Sequence, residues 1–104
     1  MLRIVRLSTK QSLTPQQEFK ALEAAQGVAA AANKVNGVKN CKLYLATGDL
    51  VFAAEYDGYA AADRILADPG IQGSVGLLGQ EFGYLVSDDE FFLEPSQIYP
   101  FIKR

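Results

Sequence analysis

Few side chains in this sequence could carry chemistry, and their types narrow what that chemistry is. The chain contains no histidine, which removes Ser-His-Asp and Cys-His catalysis and leaves carboxylates alone for a zinc site. The densest carboxylate group, Asp88-Asp89-Glu90, consists of adjacent residues that do not share a direction, so it reads as a solvated acidic turn and not as a calcium site. Arg6 could take an anionic group of a ligand if strand alternation puts it on the face of Tyr56, with Tyr56 and Tyr84 supplying a hydroxyl and an aromatic wall. The plainer alternative is that Arg6 snorkels to the sheet edge while both tyrosines pack. The ligand-pocket candidates are therefore Arg6, Phe52, Tyr56 and Tyr84. Cys41 has no visible neighbouring base and reads as a small buried hydrophobe. Glu55, expected opposite Lys42, reads as half of a cross-strand ion pair before it reads as a catalytic acid. No catalytic residue, metal or cofactor is assigned.

The element that must position these groups is a β-hairpin. Two runs rich in β-branched and aromatic residues, Val38 to Ala46 and Leu50 to Tyr56, flank Gly48-Asp49, a dipeptide suited to the tight turns that match strand twist. A loop at Gly48-Asp49 pairs Leu45 with Phe52, Leu43 with Ala54 and Cys41 with Tyr56 on one face. The other face then pairs Ala46 with Val51, Tyr44 with Ala53 and Lys42 with Glu55. Neither face is built for water.

Before the hairpin, Leu2 to Ser8 reads as a strand, with Leu2, Ile4, Arg6 and Ser8 on one side and Arg3, Val5 and Leu7 on the other. Thr14-Pro15-Gln16-Gln17 is a helix start, with Thr14 as cap, Pro15 in the first turn and Gln17 completing a capping box. Phe19, Leu22, Ala25, Ala29, Ala32 and Val35 then recur at helical spacing until Asn36-Gly37. After the hairpin a helix is expected over Tyr59 to Ala67, an interruption at Asp68-Pro69-Gly70, and a short helical piece over Ile71 to Leu78. Gly70, Gly73, Gly76 and Gly79 stripe that piece, which follows a helix and so lacks the strand-first context of a dinucleotide fingerprint; close packing of the segment is expected instead. Phe82 to Ser87 is the fourth strand.

This order of strand, helix, strand, strand, helix, strand is the ferredoxin-like β-α-β-β-α-β arrangement, an α+β fold with a four-stranded antiparallel sheet and helices on one face. The domain is expected over residues 1–87. Residues 88–104 form a tail, with seven large apolar side chains among the last fourteen residues, that must dock on the same domain or on a partner subunit. The uncovered sheet face, with Lys42, Tyr44, Ala46, Val51, Ala53 and Glu55, is the expected dimer face, met by a second copy of the chain.

At Val51-Phe52-Ala53-Ala54-Glu55-Tyr56-Asp57 and Ala60-Ala61-Ala62-Asp63-Arg64-Ile65-Leu66-Ala67-Asp68-Pro69 the sequence resembles the dimeric α+β barrel superfamily, which includes antibiotic biosynthesis monooxygenase-like, EthD-like and NIPSNAP-like proteins. The resemblance implies a homodimer with a pocket between sheet and helices for an apolar or aromatic molecule. In the monooxygenase-like members that pocket commonly uses Asn, Trp or His; this chain has neither Trp nor His, and its strand-end aromatic is Tyr56. Three functions follow in order: a small dimeric ligand-binding protein, a cofactor-independent monooxygenase or isomerase using Tyr56 and Arg6, or a structural or regulatory homodimer.

Composition bounds the partners. Apolar residues at 49% and charged residues at 21% suit one globular domain, and a net charge of −2 without clustered Lys and Arg points away from nucleic acid and anionic membranes. No apolar run is long enough to span a bilayer, and a single cysteine suits a reducing cytoplasm.

Overall fold

The computed structural model describes residues 1–92. Its elements run β1 (Leu2–Ser8), α1 (Pro15–Ala32), β2 (Val38–Ala46), β3 (Asp49–Tyr56), α2 (Tyr59–Ala67), α3 (Pro69–Phe82) and β4 (Leu85–Phe92). The strands form one antiparallel sheet in the order β2-β3-β1-β4, which is the ferredoxin-like arrangement. Each helical connection steps over the strand lying between the two it joins, so the helices collect on one face.

Local chemistry sets the helix ends. Thr14 Oγ1 accepts from the Gln17 backbone N–H at 3.2 Å while Gln17 Oε1 accepts from the Thr14 N–H at 2.9 Å, the reciprocal box expected from the sequence. Asp68-Pro69 begins α3 and does not merely interrupt a helix: the Asp68 carboxylate accepts from the Ile71 N–H at 3.1 Å, and proline occupies the first turn, where no N–H is needed. Helix α3 is accordingly longer than the piece expected over Ile71 to Leu78. It stops at Gly83, whose left-handed backbone (φ 74°) closes the last turn.

Helix α1 buries Ala21, Ala25, Val28, Ala29 and Ala32, an almost all-alanine seam that lets its backbone approach the sheet closely. Phe19, expected on that seam, is 63% exposed, because the buried stripe is phased on Ala21 and Ala25. The turn after α1 docks on α2 through Gly37, where a Cβ would stand 3.1 Å from that of Ala61. Close packing by the glycine stripe holds only in part. A side chain at Gly79 would meet the Tyr84 carbonyl at 3.2 Å, whereas Gly73 and Gly76 face open space.

The hairpin departs from its expected register twice. Its turn is Thr47-Gly48, both at positive φ, so Leu45 faces Leu50, Leu43 faces Phe52, Tyr44 faces Val51 and Lys42 faces Ala53. Asp49 thereby leaves the turn and meets Arg6 at 3.1 Å. Moving a turn by one residue moves each partner by two, so the faces are preserved. A β-bulge at Asn40 (φ 52°) and Cys41 then inserts one extra residue. Beyond it the parity of β2 flips, Val38 takes the place opposite Tyr56, and Glu55 faces Lys39. The Cys41–Tyr56 and Lys42–Glu55 pairs are thus not formed.

Asn33, just past α1, holds the bulge. Its Oδ1 accepts from the Cys41 N–H at 2.7 Å, and its Nδ2 donates to the Cys41 carbonyl at 3.0 Å and to the Ala29 carbonyl at 3.1 Å. The carboxamide stands in for the neighbouring strand that edge strand β2 lacks. Asn33→Ala leaves both Cys41 backbone groups without these partners and is expected to cost about 2 kcal/mol, read as a lower urea midpoint at unchanged m-value.

Strand β4 runs through Asp88-Asp89-Glu90 to Phe92, so the acidic residues are strand and not turn, and the sheet extends beyond the expected boundary at 87. The tail beyond Phe92 lies outside the described residues. Among the described residues no helix is long and apolar enough to cross a membrane.

Candidate functional site

Strand β1 lies inside the sheet, and its odd-numbered residues face the helices. Arg3 stands opposite Ala54 on β3 and Phe91 on β4, which places Tyr56 and Asp89 at the two diagonal positions within reach of a long side chain. Arg3 reaches both. Its Nε donates to Asp89 Oδ1 at 3.0 Å, its Nη2 to Asp89 Oδ2 at 2.8 Å, and its Nη1 to the Tyr56 hydroxyl at 3.3 Å. The Phe91 ring lies 5.2 Å from the guanidinium carbon, and meets the rings of Tyr56 at 6.2 Å and Tyr59 at 5.7 Å.

This cluster closes one end of a cavity of about 220 Å³ between sheet and helices. Phe52 and Ala54 form its sheet wall, Val28 and Ala32 of α1 and Ile71 and Val75 of α3 its helix wall. Leu66 and Val86 line it while 60% and 54% exposed, so they stand at its mouth. Cys41, at the bulge, lines the same space.

Electrostatics make the polar end a donor. The hydrogen bonds to Asp89 hold the Arg3 guanidinium above its already high pKa against the opposing effect of burial. Burial pushes the Tyr56 hydroxyl up, which outweighs the neighbouring Arg3, and burial pushes the Cys41 thiol up as well. Both groups are therefore protonated at neutral pH.

The expected pocket residues divide. Phe52 and Tyr56 line the cavity. Arg6 does not, because even-numbered residues of β1 point to the opposite sheet face, where it pairs with Asp49. Tyr84 is buried at the other end of the sheet, beside a wider depression of about 590 Å³ framed by the start of α1 and the β2–β3 turn. Strand alternation had separated Arg3, Val5 and Leu7 from Arg6 without saying which side met the helices. Apolar content gave no signal, since Val5 and Leu7 accompany Arg3 while Leu2 and Ile4 accompany Arg6; the burial of Leu7 marks the core side. Asp89 was missed because it was read as turn.

Fold and cavity together describe an α+β sheet protein with a mostly apolar chamber under its helices, a charged and hydroxyl-bearing cluster at Arg3, Tyr56 and Asp89, and Gln72 on its helix wall. Solved structures share the fold. A proposed antibiotic biosynthesis monooxygenase from Deinococcus radiodurans superposes with a TM-score of 0.72 at 14% identity, over 89% of this chain and 92% of that one. SnoaB, a cofactor-independent oxygenase from Streptomyces nogalater, gives 0.67 at 16% identity over 89% and 90%. The Mycobacterium tuberculosis protein Rv0793 gives 0.65 at 17% identity over 89% and 94%. No protein-family model and no curated protein sequence matches the chain. At these identities the likeness establishes the fold.

Proposed function

We propose that the protein is a homodimer that binds a small, mostly apolar molecule in the cavity between sheet and helices. The observation carrying this reading is that the cavity walls are mostly apolar, with Arg3, Tyr56 and Asp89 joined in one hydrogen-bonded cluster and Gln72 the further polar side chain on the helix wall, the usual division between affinity and orientation in a ligand site. The dimer is supported by the sheet face away from the helices, where Leu2, Ile4, Tyr44, Val51, Ala53 and Phe92 share one surface that no described helix covers. A cytoplasmic location fits the free Cys41 thiol.

Binding is favoured over the oxygenase chemistry that SnoaB's description assigns to that protein. Proton abstraction needs a base, and the Tyr56 and Cys41 protons are both held on by burial while the Asp89 carboxylate is engaged by Arg3.

A thermal-shift titration with the two-ring hydrocarbon tetralin tests the reading. At a tenfold excess over Kd, binding to the folded state adds roughly 1.4 kcal/mol, a rise of about 5–10 °C in Tm for a domain of this size. Ala54→Leu fills the sheet wall of the cavity and is expected to abolish the rise. A rise that survives this substitution places the ligand elsewhere, and no rise with any two-ring compound rejects the reading.

A further inference from the structure

The polar end of the cavity is more selective than a lone arginine would make it. Three guanidinium nitrogens are already engaged, two by the Asp89 carboxylate and one by the Tyr56 hydroxyl, and the guanidinium carbon lies over the Phe91 ring. The positive charge is offset at 2.8 Å by a carboxylate that also lines the cavity. An incoming anion would compete with Asp89 for Arg3 and would lie beside a like charge.

Tyr56 has the opposite balance. A phenol has one proton to give and lone pairs to accept with. Its oxygen accepts from Arg3, and among the described residues nothing accepts its proton. An accepted charge-assisted hydrogen bond strengthens the donor at the other side of the same oxygen. The corner therefore offers one polarised O–H and no net charge.

Size sets the other limit. About 220 Å³ falls below the roughly 300 Å³ at which sites for drug-sized molecules begin, which leaves room for one or two fused rings.

We infer that the cavity selects a neutral molecule of one or two rings carrying a hydrogen-bond-accepting oxygen, such as a ketone, which takes the Tyr56 hydroxyl proton, and that it discriminates against carboxylates. This rests on the binding function proposed above and names its ligand class.

Calorimetric titration of the full-length protein with four probes tests it: α-tetralone, the hydrocarbon tetralin, α-naphthoate, and the three-ring ketone fluorenone. The ketone α-tetralone is expected to bind about tenfold tighter than tetralin, the difference one well-formed hydrogen bond makes, with α-naphthoate and fluorenone each at least about tenfold weaker than α-tetralone. Tyr56→Phe keeps the ring and removes the donor, so within that variant α-tetralone should lose its advantage over tetralin. Asp89→Asn leaves the Arg3 charge without its counter-charge and should raise α-naphthoate affinity by about tenfold.

Equal affinity for α-tetralone and α-naphthoate in the unsubstituted protein overturns the inference, as does a ketone preference that survives Tyr56→Phe. Fluorenone binding as tightly as α-tetralone overturns the size limit. If tetralin binds and the ketone has no advantage, this inference fails and the binding function stands. If none of the probes binds, both fall.

Discussion

Tyr44→Asp is expected to convert the proposed dimer to a monomer at micromolar concentration, raising its Kd by at least about a thousandfold. Tyr44 projects from the sheet face opposite the helices and is 52% exposed in the single chain, so the folded monomer tolerates an aspartate there. In a two-fold dimer the same patch serves both subunits, so each substitution counts twice. Losing an aromatic anchor commonly costs about 2 kcal/mol or more per subunit, and an unpaired carboxylate shut away from water adds to that, which over both subunits together exceeds the roughly 4 kcal/mol of a thousandfold change. Sedimentation equilibrium measures the effect directly. Phe19→Asp is the control: Phe19 is 63% exposed on α1, on the helix side of the molecule, and its loss should leave the mass unchanged. A dimer that resists Tyr44→Asp, or one broken by Phe19→Asp, places the interface somewhere other than the bare sheet face.

Leu78→Ala is expected to be the most destabilising single truncation. Leu78 is completely buried in α3 and lines neither the cavity nor the wider depression, so no existing void can absorb the change. Helix α3 packs against α1, whose buried seam is mostly alanine, with side chains too short to lean into a gap. Truncations of this kind cost about 2–5 kcal/mol, the upper part applying where the site cannot collapse. That is a large share of the roughly 5–15 kcal/mol by which a domain of this kind is stable. Urea unfolding at fixed protein concentration should show the midpoint falling by about 1–2 M with little change in slope. Because Leu78 does not touch the cavity, ligand affinity of the folded protein should be preserved. A loss below about 1 kcal/mol would mean that the core repacks around the gap.

Sequence reading reached the fold because its signals are local. The capping box at Thr14 and Gln17, the strand run through Phe52 and Tyr56, and the alternating apolar faces of the hairpin each depend on residues a few positions apart, and their order admits few topologies. The two faces of the hairpin survived even a misplaced turn, since a one-residue shift of the loop preserves side-chain parity. Other features depended on contacts distant in sequence. Asn33 and Cys41 lie on different elements, eight residues apart across a loop and the start of β2, and their hydrogen bonds maintain the bulge that brings Val38 to Tyr56. Arg3 and Asp89 lie at opposite ends of the described chain, and only the pairing of β1 with β4 makes them neighbours.

The amino-acid pattern by itself determined the element types, their order and a sheet apolar on both surfaces, because propensity, capping and periodicity act within one or two turns of chain. The tertiary structure decided which surface of β1 meets the helices, and with it that Arg3 and not Arg6 joins Tyr56 at the cavity. That choice is made by burial: Leu7 and Val5 must follow Leu50 and Phe52 into the core, and the arginine sharing their parity is carried in with them.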